Sequence, residues 1–236
     1  MAFDIIAFDA DDTLWHTEHL YREARDKFVA LLSRYAESEL LGSELDRTEI
    51  KNLDIFGYGV KSFALSMVET AITLTGGKVR AAEIGEIVGL ARDMLTSEVR
   101  LIDHVRPTLD VLVAEHELMV ITKGDASEQI PKLRRSGIAG YFRHVEVVGE
   151  KTQQTYAGLL RKVGLAPEQF LMVGNSLKSD IIPVLALGGF GIYIPSKILW
   201  SHESVEHPPT GNTRYFELEH LGQLPALVRK LRRSDG

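Results

Sequence analysis

Three carboxylates within four residues close the first apolar run of this chain, Asp4-Ile5-Ile6-Ala7-Phe8-Asp9-Ala10-Asp11-Asp12-Thr13-Leu14. An apolar strand has no packing reason to end that way. Asp9 and Asp11 with Thr13 beside them can supply a nucleophilic oxygen, a second acid or base, and hard oxygen ligands for Mg2+. Two acids at this spacing repel unless a cation neutralises them, whereas Asp12 reads as a turn former or helix cap.

Three further apolar segments stop in polar clusters. Glu117 to Ile121 runs into Thr122-Lys123-Gly124-Asp125, His144 to Val148 into Gly149-Glu150-Lys151, and Phe170 to Val173 into Gly174-Asn175-Ser176. Helix-like stretches over Glu128 to Ser136 and Thr152 to Val163 separate them, so the pattern predicts an α/β fold with a doubly wound, Rossmann-like parallel sheet. Ligands of such sheets bind beyond the carboxyl ends of the strands, where all four clusters converge. Gly191 to Pro195 reads as a fifth strand, and Tyr215 to Leu218 with a helix over Leu224 to Leu231 as the closing edge.

Between Trp15 and Val99 the pattern is helical throughout, with apolar spacing in Leu20 to Tyr35, Thr48 to Phe56, Ser62 to Leu74 and Ala81 to Leu95. An all-helical insertion over residues 16–99 is expected, with the core formed by residues 1–15 and 100–236 and the return crossing near Arg100 to Pro107.

The four clusters, in this order, closely resemble the four motifs of the haloacid dehalogenase superfamily, and the helical insertion stands where that superfamily commonly carries a cap domain. The resemblance implies a nucleophile at Asp9 and an acid-base residue at Asp11. Thr122 would hold a phosphate oxygen together with the backbone amides of Lys123 and Gly124, and Lys151 would balance the charge of nucleophile and phosphate. Mg2+ would be held by Asp9, the Asp11 backbone carbonyl and Asn175, with Asp180 as an outer acid or water-mediated ligand. The commonest form of the fourth motif has an acid where this chain has Asn175, whose amide is a hard ligand without charge. The implied activity is a Mg2+-dependent phosphomonoesterase working through an aspartyl-phosphate, with the cap admitting a small phosphorylated metabolite. Alternatives are a 2-haloacid dehalogenase, against which Asp11 counts, a sugar phosphomutase, and a non-catalytic phosphate-binding module.

A net charge of -6 argues against a nucleic-acid partner, because backbone binding needs a basic face. The absence of cysteine removes disulfides and thiolate metal sites, and no apolar run approaches membrane-spanning length. A cytoplasmic protein, monomeric or homodimeric and without a membrane partner, is expected. His202 and His207, with Glu203 and Glu206, read as a surface loop, and Gly188-Gly189-Phe190-Gly191 lacks a dinucleotide fingerprint. Trp15 and His16 are left either bordering the pocket or anchoring the first inserted helix.

Overall fold

A computed structural model of the chain describes residues 3–196 and 211–233. Among the described residues, six parallel strands form one sheet: β1 (Ile5–Phe8), β2 (Glu117–Lys123), β3 (His144–Val148), β4 (Phe170–Gly174), β5 (Phe190–Tyr193) and β6 (Tyr215–Glu217). Their order is β3-β2-β1-β4-β5-β6. The chain therefore leaves β1 on one side to build β2 and β3 and returns to the other side for β4, which makes the carboxyl end of β1 the switch point. Phe8 lies level with Val120 of β2 and Val173 of β4, so Asp9 emerges between both neighbours.

Alternate residues of these strands feed opposite faces, as the period of two requires. Ile6, Phe8, Leu118, Val120, Leu171 and Val173 pack with α5 (Val105–Leu112) and α9 (Leu224–Arg233). Ile5, Ala7, Met119, Ile121, Phe170 and Met172 pack with α7 (Gln153–Val163) and α8 (Ile182–Leu187). Both faces of β1 are covered, which explains an apolar run without alternation.

The chain divides into two compact units. The sheet unit runs up to Glu18, over Val99–Lys123 and from Gln129 onward; the helical unit comprises His19–Glu98 together with Gly124–Glu128. Four helices fill the latter: α1 (Glu18–Leu32), α2 (Ser38–Phe56), α3 (Val60–Leu74) and α4 (Ala81–Thr96). They share a core of Phe28, Leu32, Leu41, Leu45, Phe63, Met67 and Ile87.

Helix α2 begins ten residues before the periodic stretch that starts at Thr48. Its first half buries Leu41, Gly42 and Leu45, and the guanidinium of Arg25 covers Gly42, so part of its inner stripe is a glycine that hydropathy cannot register. Helix α5 likewise arises where only a crossing was expected; Pro107 falls in its first turn, where a missing N–H costs nothing. Strand β2 continues through Thr122 and Lys123, so Thr122 is a strand residue. Asp125 instead receives the Ser127 amide at the start of α6 (Ala126–Arg135). Asp12 does cap: at φ 59° its carboxylate accepts the amides of Thr17 and Glu18, both at 3.0 Å, where α1 begins. The His202 and His207 loop lies outside the described residues. No described helix is long and apolar enough to cross a membrane.

Helix α3 has no cap from its own preceding residue, Gly59. Glu128 accepts the amides of Val60 at 2.9 Å and Lys61 at 3.1 Å, and Lys61 Nζ donates to Ser127 Oγ at 2.6 Å. Gly59 has φ 124°, and a Cβ there would lie 2.7 Å from Glu128 Oε2. Gly59→Ala is therefore expected to destabilise the protein by about 1–3 kcal/mol in urea unfolding. Gly85→Ala, in α4 with open space around it, should instead be neutral or stabilise by up to about 1 kcal/mol.

Candidate active site

Register carries the site residues to one edge of the sheet. Asp9 follows β1, Thr122 and Lys123 end β2, Lys151 stands three residues past β3, and Asn175 follows β4. Lys151 Nζ donates to Asp9 Oδ1 at 2.5 Å and to Asp180 Oδ1 at 2.7 Å. The side chains of Lys151 and Asp180 are each 1% exposed and that of Asp9 is 10% exposed. Charges so deeply buried persist only when paired and hydrogen-bonded.

Asp180 completes its bonding with the Ser176 amide, at 3.0 Å to Oδ2. A Cβ on Gly174 would lie 2.2 Å from that same oxygen, so glycine is required for the strand end to admit the carboxylate. The intervening chain closes as a turn of π-helix over Leu177–Ile181, a geometry frequent at functional sites. Ser176 Oγ caps this turn by accepting the Ser179 amide.

Thr13 joins the nucleophile candidate to the fourth cluster. Its hydroxyl lies 3.1 Å from Asp9 Oδ2 and 3.2 Å from Asn175 Oδ1, so two hard oxygens from different strands converge within reach of one atom. This donor set, all oxygen and short of full charge neutralisation, suits Mg2+. Electrostatics point the same way. Burial pushes the Asp9 carboxyl up and Lys151 pulls it back; Asp180 then adds repulsion, leaving Asp9 raised to about 7. Burial alone would lower Lys151, but Asp180 and Asp9 outweigh it and hold the ammonium above its ordinary value. A further cation at Asp9 would complete the neutralisation of the two carboxylates.

Asp11 occupies a separate environment. Its Oδ1 accepts Trp15 Nε1 at 2.7 Å, Thr17 Oγ1 at 2.6 Å and Lys132 Nζ at 2.5 Å; its Oδ2 accepts Gln129 Nε2 at 2.7 Å. Burial raises this carboxyl, but Lys132, Thr17 and Trp15 overcome the rise and hold it down at about 2. Trp15 is thus a buried donor to Asp11. Gln129 and Lys132 had no assigned role in the sequence. They stand three apart on one face of α6, and only their joint aim at Asp11 distinguishes them from a solvated helix face.

Thr122 is buried, and its hydroxyl approaches the Lys123 carbonyl at 3.4 Å. Lys123 Nζ donates to Ser179 Oγ at 3.0 Å, which ties the end of β2 to the π turn. Gly124 has φ 126°, a conformation that L side chains rarely adopt. Asp9, Thr13, Lys151, Asn175 and Asp180 thus form one hydrogen-bonded group, with Asp11 in a second group alongside Gln129 and Lys132.

Comparison with known proteins agrees with this arrangement. The chain is similar to N-acylneuraminate-9-phosphatase of Homo sapiens, with 23% identity over 237 residues covering 96% of this chain and 94% of that protein. Glyceraldehyde 3-phosphate phosphatase of Methanopyrus kandleri is 25% identical over 233 residues, covering 96% of this chain and 97% of that one. The crystal structure of a haloacid dehalogenase-like family hydrolase from Xanthomonas campestris superposes with a TM-score of 0.88 at 40% identity, covering 99% of this chain and 93% of that one. A family model for haloacid dehalogenase-like hydrolases matches residues 3–188, and with the four strand-end clusters assembled on a parallel sheet, the chain belongs to that family of hydrolases.

Proposed function

We propose that this hydrolase is a Mg2+-dependent phosphomonoesterase that acts on a small phosphorylated metabolite through an aspartyl-phosphate on Asp9. The observation that carries the reading is the buried Lys151 ammonium between Asp9 and Asp180, with Thr13 linking Asp9 to Asn175. A carboxylate attacking a phosphate dianion faces repulsion of about 4 kcal/mol per unit-charge pair at 4 Å in an effective dielectric near 20. A fixed cation beside the nucleophile offsets that repulsion without reorganisation during the reaction. The phosphatase names of two relatives that match along nearly the whole chain add support.

In the proposed mechanism an Asp9 oxygen attacks phosphorus, and the bond from phosphorus to the substrate oxygen breaks with its electron pair on that oxygen. The leaving alkoxide takes a proton from the acid form of Asp11, a form that its lowered pKa makes the minor one. Water then attacks the phosphorus of the aspartyl-phosphate while Asp11 accepts its proton, and Asp9 is released as a carboxylate with inorganic phosphate. Thr122 and the amides of Lys123 and Gly124 bind the phosphoryl oxygens, with Lys151 balancing charge. Asp9, the Asp11 backbone carbonyl and Asn175 would hold Mg2+, with Asp180 behind them. The ion would supply further charge neutralisation at the phosphoryl group and orient it for in-line attack. Displacement at carbon, as in a dehalogenase, needs no acid at Asp11, whereas this chain surrounds that carboxylate with four donors.

Nitrophenyl phosphate hydrolysis is expected to require Mg2+ and to fall to background in Asp9→Asn, which removes the nucleophile and a metal contact together. Full activity after chelation, or in that variant, would show the assignment to be wrong.

Asp11 is held in its base form. A nitrophenolate leaving group needs little proton donation, so loss of Asp11 should fall on the second step. Asp11→Asn is expected to release nitrophenol in a burst stoichiometric with active sites and then to turn over about 10²- to 10⁴-fold more slowly, with phosphate trapped on Asp9. Rapid-quench measurement and mass spectrometry of the trapped protein check this; equal slowing of both steps without a covalent intermediate would refute it.

A further inference from the structure

The donors to Asp11 are unevenly divided. A carboxylate offers about four lone-pair sites over two oxygens. Three donors, from Trp15, Thr17 and Lys132, crowd onto Oδ1, while among the described residues Oδ2 receives Gln129 alone. Oδ1 is saturated, and Oδ2 keeps acceptor capacity.

Lys132 is the centre of the crowded side. Its ammonium also donates to Thr17 Oγ1 at 2.7 Å, so the threonine accepts from the lysine and passes its own hydrogen to Asp11. The ammonium lies 5.6 Å from the centroid of the Trp15 ring, within the range of attraction to an aromatic face. The lysine side chain is 17% exposed, so these contacts are sheltered from bulk water. On the same face of α6, Gln129 Nε2 reaches both Asp11 Oδ2 and, at 3.2 Å, the Lys123 carbonyl next to Thr122. One helix face therefore locates the Asp11 carboxylate relative to the end of β2.

We propose that Lys132 is the positioning residue of Asp11: by occupying Oδ1 it fixes the rotamer of the carboxylate and presents Oδ2 to the leaving group and to water. The proposal rests on the acid-base reading of Asp11. Lys132 touches neither reacting atoms nor substrate in this role, and its whole effect passes through Asp11. A lysine that instead bound the phosphate directly would act on substrate affinity and would remain important when Asp11 is disabled.

A double-mutant cycle separates these roles. With nitrophenyl phosphate and Mg2+, Lys132→Met should lower kcat by about 10- to 100-fold, part of the span expected for loss of acid-base catalysis, with KM changed less than about twofold. The nitrophenol burst should persist, and Lys132→Arg should restore part of the turnover because its guanidinium can still donate to Oδ1. In the Asp11→Asn background, Lys132→Met should change turnover by less than about twofold. An undiminished effect in that background, or one confined to KM, overturns the proposal while leaving Asp11 as the acid-base residue. Full turnover by Asp11→Asn alone overturns the acid-base reading and the proposal with it. Thermal unfolding accompanies each variant; should Lys132→Met not fold, Lys132→Gln enters the same cycle and must meet the same criterion.

Discussion

A buried ammonium between two carboxylates carries a net charge of -1 in a place where water cannot screen it, and the surrounding chain is arranged around that imbalance. Lys151 can reach Asp9 and Asp180 together because β1 and β4 are adjacent while β3, which delivers the lysine, ends at the same edge of the sheet. Asp180 fits only because Gly174 lacks a side chain, and the π turn that follows brings Asp180 back toward the strand from which it departed. Removing either acid would leave a buried lysine half paired; removing the lysine would leave two like charges facing each other. Each member is therefore held by the others, which is the usual condition for charge deep in a protein.

Asp9 and Asp11 are two residues apart and yet live in opposite electrostatic worlds. Asp9 shares its cation with another acid and is pushed up, whereas Asp11 has Lys132 and neutral donors on both oxygens and is pulled down. A left-handed turn at Asp12 follows them, where Asp12 caps the helix that comes next. Two carboxylates of the same intrinsic chemistry thereby acquire different proton affinities: Asp11 is left in its base form, whereas Asp9 needs a further cation beside it to stay ionised.

The sheet and its polar edge were legible because buried parallel strands leave an unbroken apolar signature that ends where the backbone turns. What escaped was encoded by neighbours distant in sequence. The first half of α2 depends on Gly42 beneath Arg25, a contact between helices that no periodicity records. Lys132 meets Asp11 across 121 positions of chain, and nothing in the composition of α6 marks it out from a lysine on a solvated helix face. Asn175 was legible as a departure from an acidic pattern, yet its link to Asp9 through Thr13 required the assembled strands. Local chemistry could be read from order; its partners could not.

The chain passes between the two units at Glu18/His19, Glu98/Val99, Lys123/Gly124 and Glu128/Gln129. Two of those passages bound the long insertion, and two bound a short segment that carries Asp125 and Glu128 into the helical unit, where Glu128 caps α3 and Asp125 pairs with Lys61. The helical unit is consequently a discontinuous module. Recombination that transplants residues 19–98 alone, whether in a laboratory chimera or in descent, would strip α3 of its cap and leave Lys61 without its acids. A transferable module must include the five residues from Gly124 to Glu128, and the two segments have to change together.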